Sequence, residues 1–97
     1  MFWYKIFNVK YDIVVAICDE ELLGKKLKYG NVNIEISEKF YKGDIVDEEG
    51  AIKLIKLATI GNLMGEKIIS IAEKEGFISK ENILFIDGVP HAQFVKI

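Results

Sequence analysis

Apolar positions along this chain switch between a period of two and a helical period, and the switches mark its elements. Phe2 to Val9 reads as a strand, with Trp3, Lys5 and Phe7 alternating against Phe2, Tyr4 and Ile6. Only Lys5 and Asn8 break its apolar character, so both faces are expected to be partly covered. Tyr11-Asp12 provides a tight turn, and Ile13–Cys18 is a second strand, so the pair predicts an antiparallel hairpin. The unbroken run Ile13-Val14-Val15-Ala16-Ile17 belongs in the middle of a sheet. Asp19, with Glu20 and Glu21 behind it, reads as the N-cap of one helical turn that Gly24 ends. Lys25–Lys28 is extended, Gly30-Asn31 turns, and Val32–Ile36 alternates with Val32, Ile34 and Ile36 inward. Ser37 caps a short turn through Phe40 and Tyr41, and Asp44–Val46 is a brief extended link.

Asp47 is a second N-cap, again with two glutamates behind it. From Glu48 to Glu75 the period reads as helical. One stripe holds Ala51, Ile52, Leu54, Ile55 and Ala58; another holds Ile60, Leu63, Met64, Ile68, Ile71 and Ala72. Gly61 and Gly65 fall inside this region, and glycine costs a helix interior about 1 kcal/mol against alanine. The expectation is therefore a kink or break at Thr59–Gly61, with Gly76 as the C-cap. Ile83–Ile86, an Asp87-Gly88 turn and Ala92–Ile97 supply the last two strands, with Pro90 at an edge or in the connection. The order predicts one domain over residues 1–97. Its class is α+β, a two-layer sandwich whose mainly antiparallel sheet is covered on one face by a long or kinked helical region.

Composition narrows the function classes. Hydrophobic residues make up 51% of the chain, which suits a packed core rather than disorder. No apolar run approaches the ~20 residues of a membrane helix. The N-terminus carries no basic region or cleavage site, so it reads as a strand and not a signal peptide, and the expected compartment is the cytoplasm. One cysteine, Cys18, fits a reducing environment. One cysteine and one histidine exclude a zinc site built from His and Cys of this chain, and the sequence names neither metal nor cofactor. A net charge of −2 is not the footprint of bulk electrostatic binding to nucleic acid. All 13 basic residues are lysine, so bidentate arginine recognition of phosphate or guanine is absent. Abundant Lys, Glu and Ile also resembles thermophile composition.

Three segments carry a further signal: Cys18–Lys25 (CDEELLGK), Ala58–Glu66 (ATIGNLMGE) and Gly88–Gln93 (GVPHAQ). In order and in chain size they resemble the archaeal domain-of-unknown-function 424 family. That resemblance implies an archaeal source and a small α+β fold, with a loose association to RNA or translation. It brings no catalytic residues.

Candidate chemistry must come from the residues themselves. His91 has the one side chain whose reference pKa lies near neutrality, and Gln93 shares its face on a strand. His91 is thus either a general acid/base beside the turn or a ring that hydrogen-bonds backbone there. Cys18, just ahead of a helix start, is either an activated thiol or a small core residue. Asp19 is a cap or, with Glu20 and Glu21, part of an acidic cluster. Asn62 and Glu66 are i,i+4 neighbours if Ala58–Glu66 is helical, with Gly61 and Gly65 beside them; they would rim a groove with a bare backbone floor. Thr59 adds a hydroxyl near that helix start. Lys25, Lys26 and Lys28 with Tyr29, and Lys39 and Lys42 around Phe40 and Tyr41, interleave cations with aromatics. That pattern suits single-stranded nucleic acid or a solvated strand edge. Two functions follow. One is a small accessory or binding protein whose partner is RNA or a protein complex. The other is a small enzyme with His91, Gln93, Asn62 and Glu66 in one site. The aromatic first strand offers a dimer interface.

Overall fold

The computed structural model describes all of residues 1–97. Eight strands and three short helices follow in the order β1 (Phe2–Val9), β2 (Asp12–Asp19), β3 (Lys26–Tyr29), β4 (Val32–Glu35), α1 (Glu38–Tyr41), β5 (Asp44–Val46), α2 (Glu48–Leu57), β6 (Ile60–Met64), α3 (Glu66–Lys74), β7 (Ile83–Ile86) and β8 (Val89–Val95). Single 3-10 turns occupy Glu20–Leu22 and Lys80–Asn82. Six strands form one sheet in the order β5-β1-β2-β6-β8-β7, while β3 and β4 pair separately as a hairpin. Every pairing in the large sheet is antiparallel except β2 with β6. The fold is α+β, with a mainly antiparallel sheet, as the alternation predicts.

The two faces of this sheet carry separate cores. On the helix face, α2 and α3 bury Ala51, Ile55, Ile68, Ile69 and Ala72 against Val15, Ile17, Leu63 and Ala92. On the hairpin face, the β3–β4 hairpin and α1 bury Leu27, Ile36 and Tyr41 against Ala16, Cys18, Met64 and Ile86. Coverage on both faces explains why β2 is an unbroken apolar run. The two long helices cover one face, as expected, and the hairpin with α1 covers the other. Val32, next to the hairpin turn, is 59% exposed rather than inward; Ile36 carries the inward role, at 1% exposure.

The largest correction falls on Ala58–Glu66. It is neither a kinked helix nor a helix start: α2 ends at Leu57, β6 runs through the middle of the sheet, and α3 begins at Glu66. A period of two, not 3.6, governs the stretch. Gly61 and Leu63 point to the helix face, and Ile60, Asn62 and Met64 to the hairpin face. Gly61 leaves room for the Phe94 ring, which a Cβ there would strike. Asn62 and Glu66 are therefore not neighbours on a helix. The last strand also starts earlier than expected, at Val89. Pro90 sits inside it because its missing donor falls where β6 ends: the Pro90 carbonyl accepts from Gly65 N at 2.9 Å. β1 lies between β5 and β2, with β5 paired along Phe2–Tyr4 only.

Candidate functional site

Register places one band of polar side chains across the hairpin face. Lys5, Ala16, Asn62 and Gln93 stand in one cross-strand row over β1, β2, β6 and β8. Trp3, Cys18, Met64, His91 and Leu84 form the adjacent row. Asn62 and Gln93 are thus direct partners, within about 5.5 Å at their Cβ atoms, and His91 is the next residue on that face of β8.

Each polar group is held differently. Tyr41 of α1 reaches over the sheet, and its hydroxyl donates to Asn62 Oδ1 at 3.1 Å. That leaves the Asn62 Nδ2 donors aimed away from the phenol. Burial pushes the Tyr41 phenol above its ordinary pKa, with the nearby Cys18 adding to the rise, so Tyr41 stays a neutral donor. His91 Nδ1 lies 2.9 Å from the Leu63 carbonyl. A carbonyl only accepts, so Nδ1 carries the proton and Nε2 of the neutral ring is an acceptor. His91 therefore makes the backbone contact expected of a structural ring while keeping one nitrogen free. Gln93 is exposed, and its amide can turn either end outward.

Cations and aromatics border the band. Lys5 stands between Trp3 and Phe7 on β1, and its Nζ donates to the Lys39 carbonyl at 2.9 Å. Lys42 Nζ lies 5.7 Å from the Trp3 ring centre. Phe7 stacks on Phe40 at 5.5 Å. Lys26 and Lys28, both exposed, flank buried Leu27 on β3, which packs on the same face. Sequence reading places Tyr41 among the lysine-flanked aromatics but not over Asn62. Its only signal was an aromatic next to Phe40 in a short capped helix, which does not tell which side chain reaches the sheet.

The remaining predicted residues lie elsewhere. Asp19 is 2% exposed on the helix face and does not cap its own turn. Its two carboxylate oxygens accept from Lys67 N and Ile68 N, each at 2.9 Å, at the start of α3. Burial raises its pKa, against the pull of those two donors. Glu66 is exposed beside it, on the opposite side of the sheet from Asn62 and His91. Thr59 is a strand latch: its Oγ1 accepts from Ile13 N at 2.8 Å and donates to Asp12 at 3.0 Å. Cys18 is fully buried, and desolvation, reinforced by Asp19 and Glu21, raises its pKa to about 12. It is a core thiol and not a poised thiolate. No helix is long and apolar enough to cross a membrane, and no cluster of metal-ligating side chains occurs.

Comparison with known proteins agrees with this picture of a fold without a named activity. Residues 7–97 match the model of the family described as protein of unknown function (DUF424). The chain belongs to that family. Among solved structures it is similar to an uncharacterized conserved protein from Methanopyrus kandleri, at 30% identity and a TM-score of 0.83, with 96% of this chain and 89% of that one covered. A search of curated proteins finds no match. The DUF424 chain thus shares its fold with a protein from an archaeon, and neither the family nor the relative brings a function.

Proposed function

We propose that this DUF424 protein is a small accessory protein that binds single-stranded RNA on the hairpin face of its sheet. One observation carries the reading. Both lysine–aromatic segments, on β3 and around α1, pack on the face that presents Asn62, His91 and Gln93. The exposed amide of Gln93 can pair with a base edge, the half-exposed imidazole of His91 can stack, and flanking lysines can meet phosphates. A net charge of −2 does not oppose this, because the contact is local to one face. An association with the translation machinery is one setting that fits such a protein.

The alternative, a small enzyme around His91, Gln93, Asn62 and Glu66, draws less support. Glu66 lies across the sheet from the other three, and no carboxylate in the chain hydrogen-bonds the His91 ring.

Binding of short unstructured RNA measured across salt tests the proposal. Affinity should fall as salt rises, and Gln93→Ala and His91→Ala should each weaken binding by about five- to tenfold without altering the salt slope. Absence of salt-dependent binding at about 50 mM salt would remove the RNA reading.

A further inference from the structure

The two edges of the large sheet are built differently. At one edge, β5 is three residues long, and the side chain of Asp44 takes the Ile45 N–H at 2.8 Å. That edge is short, charged and partly self-satisfied. At the other edge, β7 reads Ile-Leu-Phe-Ile, with no charge and no proline. Leu84 is 45% exposed and Phe85 62% exposed, on opposite faces. The β3–β4 hairpin meets β7 at its turn end, where Lys28 N donates to Asp87.

The turn fixes which backbone groups are free. Asp87 and Gly88 both have positive φ, 52° and 79°, closing a two-residue hairpin between Ile86 and Val89. In such a hairpin the closing pair exchanges hydrogen bonds, and so does the pair two residues on, Leu84 with His91. Phe85 and Pro90 form the non-bonded pair between them. The Pro90 carbonyl accordingly points to Gly65 on β6. The N–H and C=O of Phe85 then point the other way, out of the sheet.

Beside Phe85 on the helix face runs a groove of about 340 Å³ between α3 and the β7 edge, floored by Ile69, Ile83 and Pro90. Glu66 stands at its Pro90 end and makes no ion pair. Lys80 stands at its Ile83 end, its side chain 88% exposed, 3.4 Å from Glu73.

We propose that β7 is a homodimer edge: a second copy of this chain adds its own β7 antiparallel, with the two-fold axis beside Phe85. The Phe85 N–H of each copy donates to the C=O of the partner's Phe85, and the two sheets become one. A two-fold axis there reverses the groove, bringing the partner's Lys80 toward the unpaired Glu66. This charge complementarity commits the edge to its own kind. The interface lies away from the hairpin-face band, so it stands apart from the RNA reading.

Sedimentation equilibrium over a range of protein concentrations tests it. The expected mass at high concentration is twice the 11.0 kDa of the chain. Phe85→Pro removes the outward donor and the exposed ring together but leaves the hairpin bonds to β8; it should raise the dissociation constant about tenfold or more. Lys80→Glu should weaken the dimer, and Glu66→Lys added to it should restore association. A wild-type chain that stays at the monomer mass throughout overturns the proposal. So does a dimer that a folded Phe85→Pro variant leaves intact. If that variant does not fold, amide exchange of Phe85 in the unaltered protein decides. Protection lost on dilution supports the dimer, and fast exchange at every concentration overturns it.

Discussion

The chain contains the pattern Asp-Glu-Glu twice, and the two copies serve different helices. Asp47-Glu48-Glu49 starts the helix it precedes: Asp47 accepts from Gly50 N at 2.9 Å, and the ten residues of α2 follow. Asp19-Glu20-Glu21 starts only a three-residue 3-10 turn, because Gly24, at φ 84°, leaves no room for more. Its carboxylate turns instead to α3, a helix that begins 47 residues later. The reason lies at Gly65. This residue precedes α3 where a capping side chain would normally sit, and it has none to offer. Asp19, beside it on the helix face of β2, supplies the missing acceptor from a neighbouring strand. A local pattern thus says that a carboxylate wants helix donors. It does not say which donors.

Gly65→Ala should break the distant cap most severely. Gly65 has φ 124°, a conformation that side chains rarely adopt, and an added Cβ would land on the Asp19 carboxylate. The expected loss is about 3 kcal/mol or more, a fall in Tm of at least about 12 °C for a domain of this size. Gly76→Ala is the control. Its φ is 81° but a Cβ there meets open space, so it should cost only about 1 kcal/mol. Equal losses at the two positions would mean that backbone conformation alone is at stake and that the Asp19 contact adds nothing.

Replacing the two aspartates directly gives the next largest effect. Asp47→Ala removes a cap from exposed amides that water can satisfy, and should cost about 1 kcal/mol in urea unfolding. Asp19→Ala strands the donor of buried Ile68 and that of Lys67, and should cost about 2–3 kcal/mol. If Asp47→Ala proves the costlier change, the long-range cap is not what holds α3 to the sheet.

The same contrast explains what could be read from sequence. The β1–β2 hairpin, the Ser37 and Asp47 caps and the Asp87-Gly88 turn were legible because each rests on neighbours in the chain. The shared face of His91 and Gln93 followed from the period of a strand. β6 was not legible. Covered on both faces, it shows the apolar density of a helix, and Gly61 within it and Gly65 just after it answer to Phe94 and Asp19, which lie far away in sequence. A helical period over this stretch pairs Asn62 with Glu66 and hides its cross-strand partner Gln93 and the phenol of Tyr41. The half of the candidate site on one strand could be found. The half made by register between strands could not.

The smallest expected effect is a pH dependence confined to the distant cap. Burial raises the Asp19 carboxyl above its ordinary range, and the amides of Lys67 and Ile68 offset only part of that. The folded chain therefore holds the Asp19 proton more tightly than the unfolded chain does. Below the ordinary carboxylate range both states are protonated, and this titration adds nothing. As pH rises from there through the raised folded value, the unfolded state ionises first, and stability falls by the cost of burying the charge. Above that window the loss is complete and constant. Asp19→Asn cannot ionise, so the difference in unfolding free energy between wild type and variant should shift in favour of the variant across that window and then level off. Urea titrations of both proteins at a series of pH values measure it. A difference that moves toward the wild type as pH rises would show that the two helix amides outweigh desolvation, and that the carboxylate is held for its charge rather than despite it.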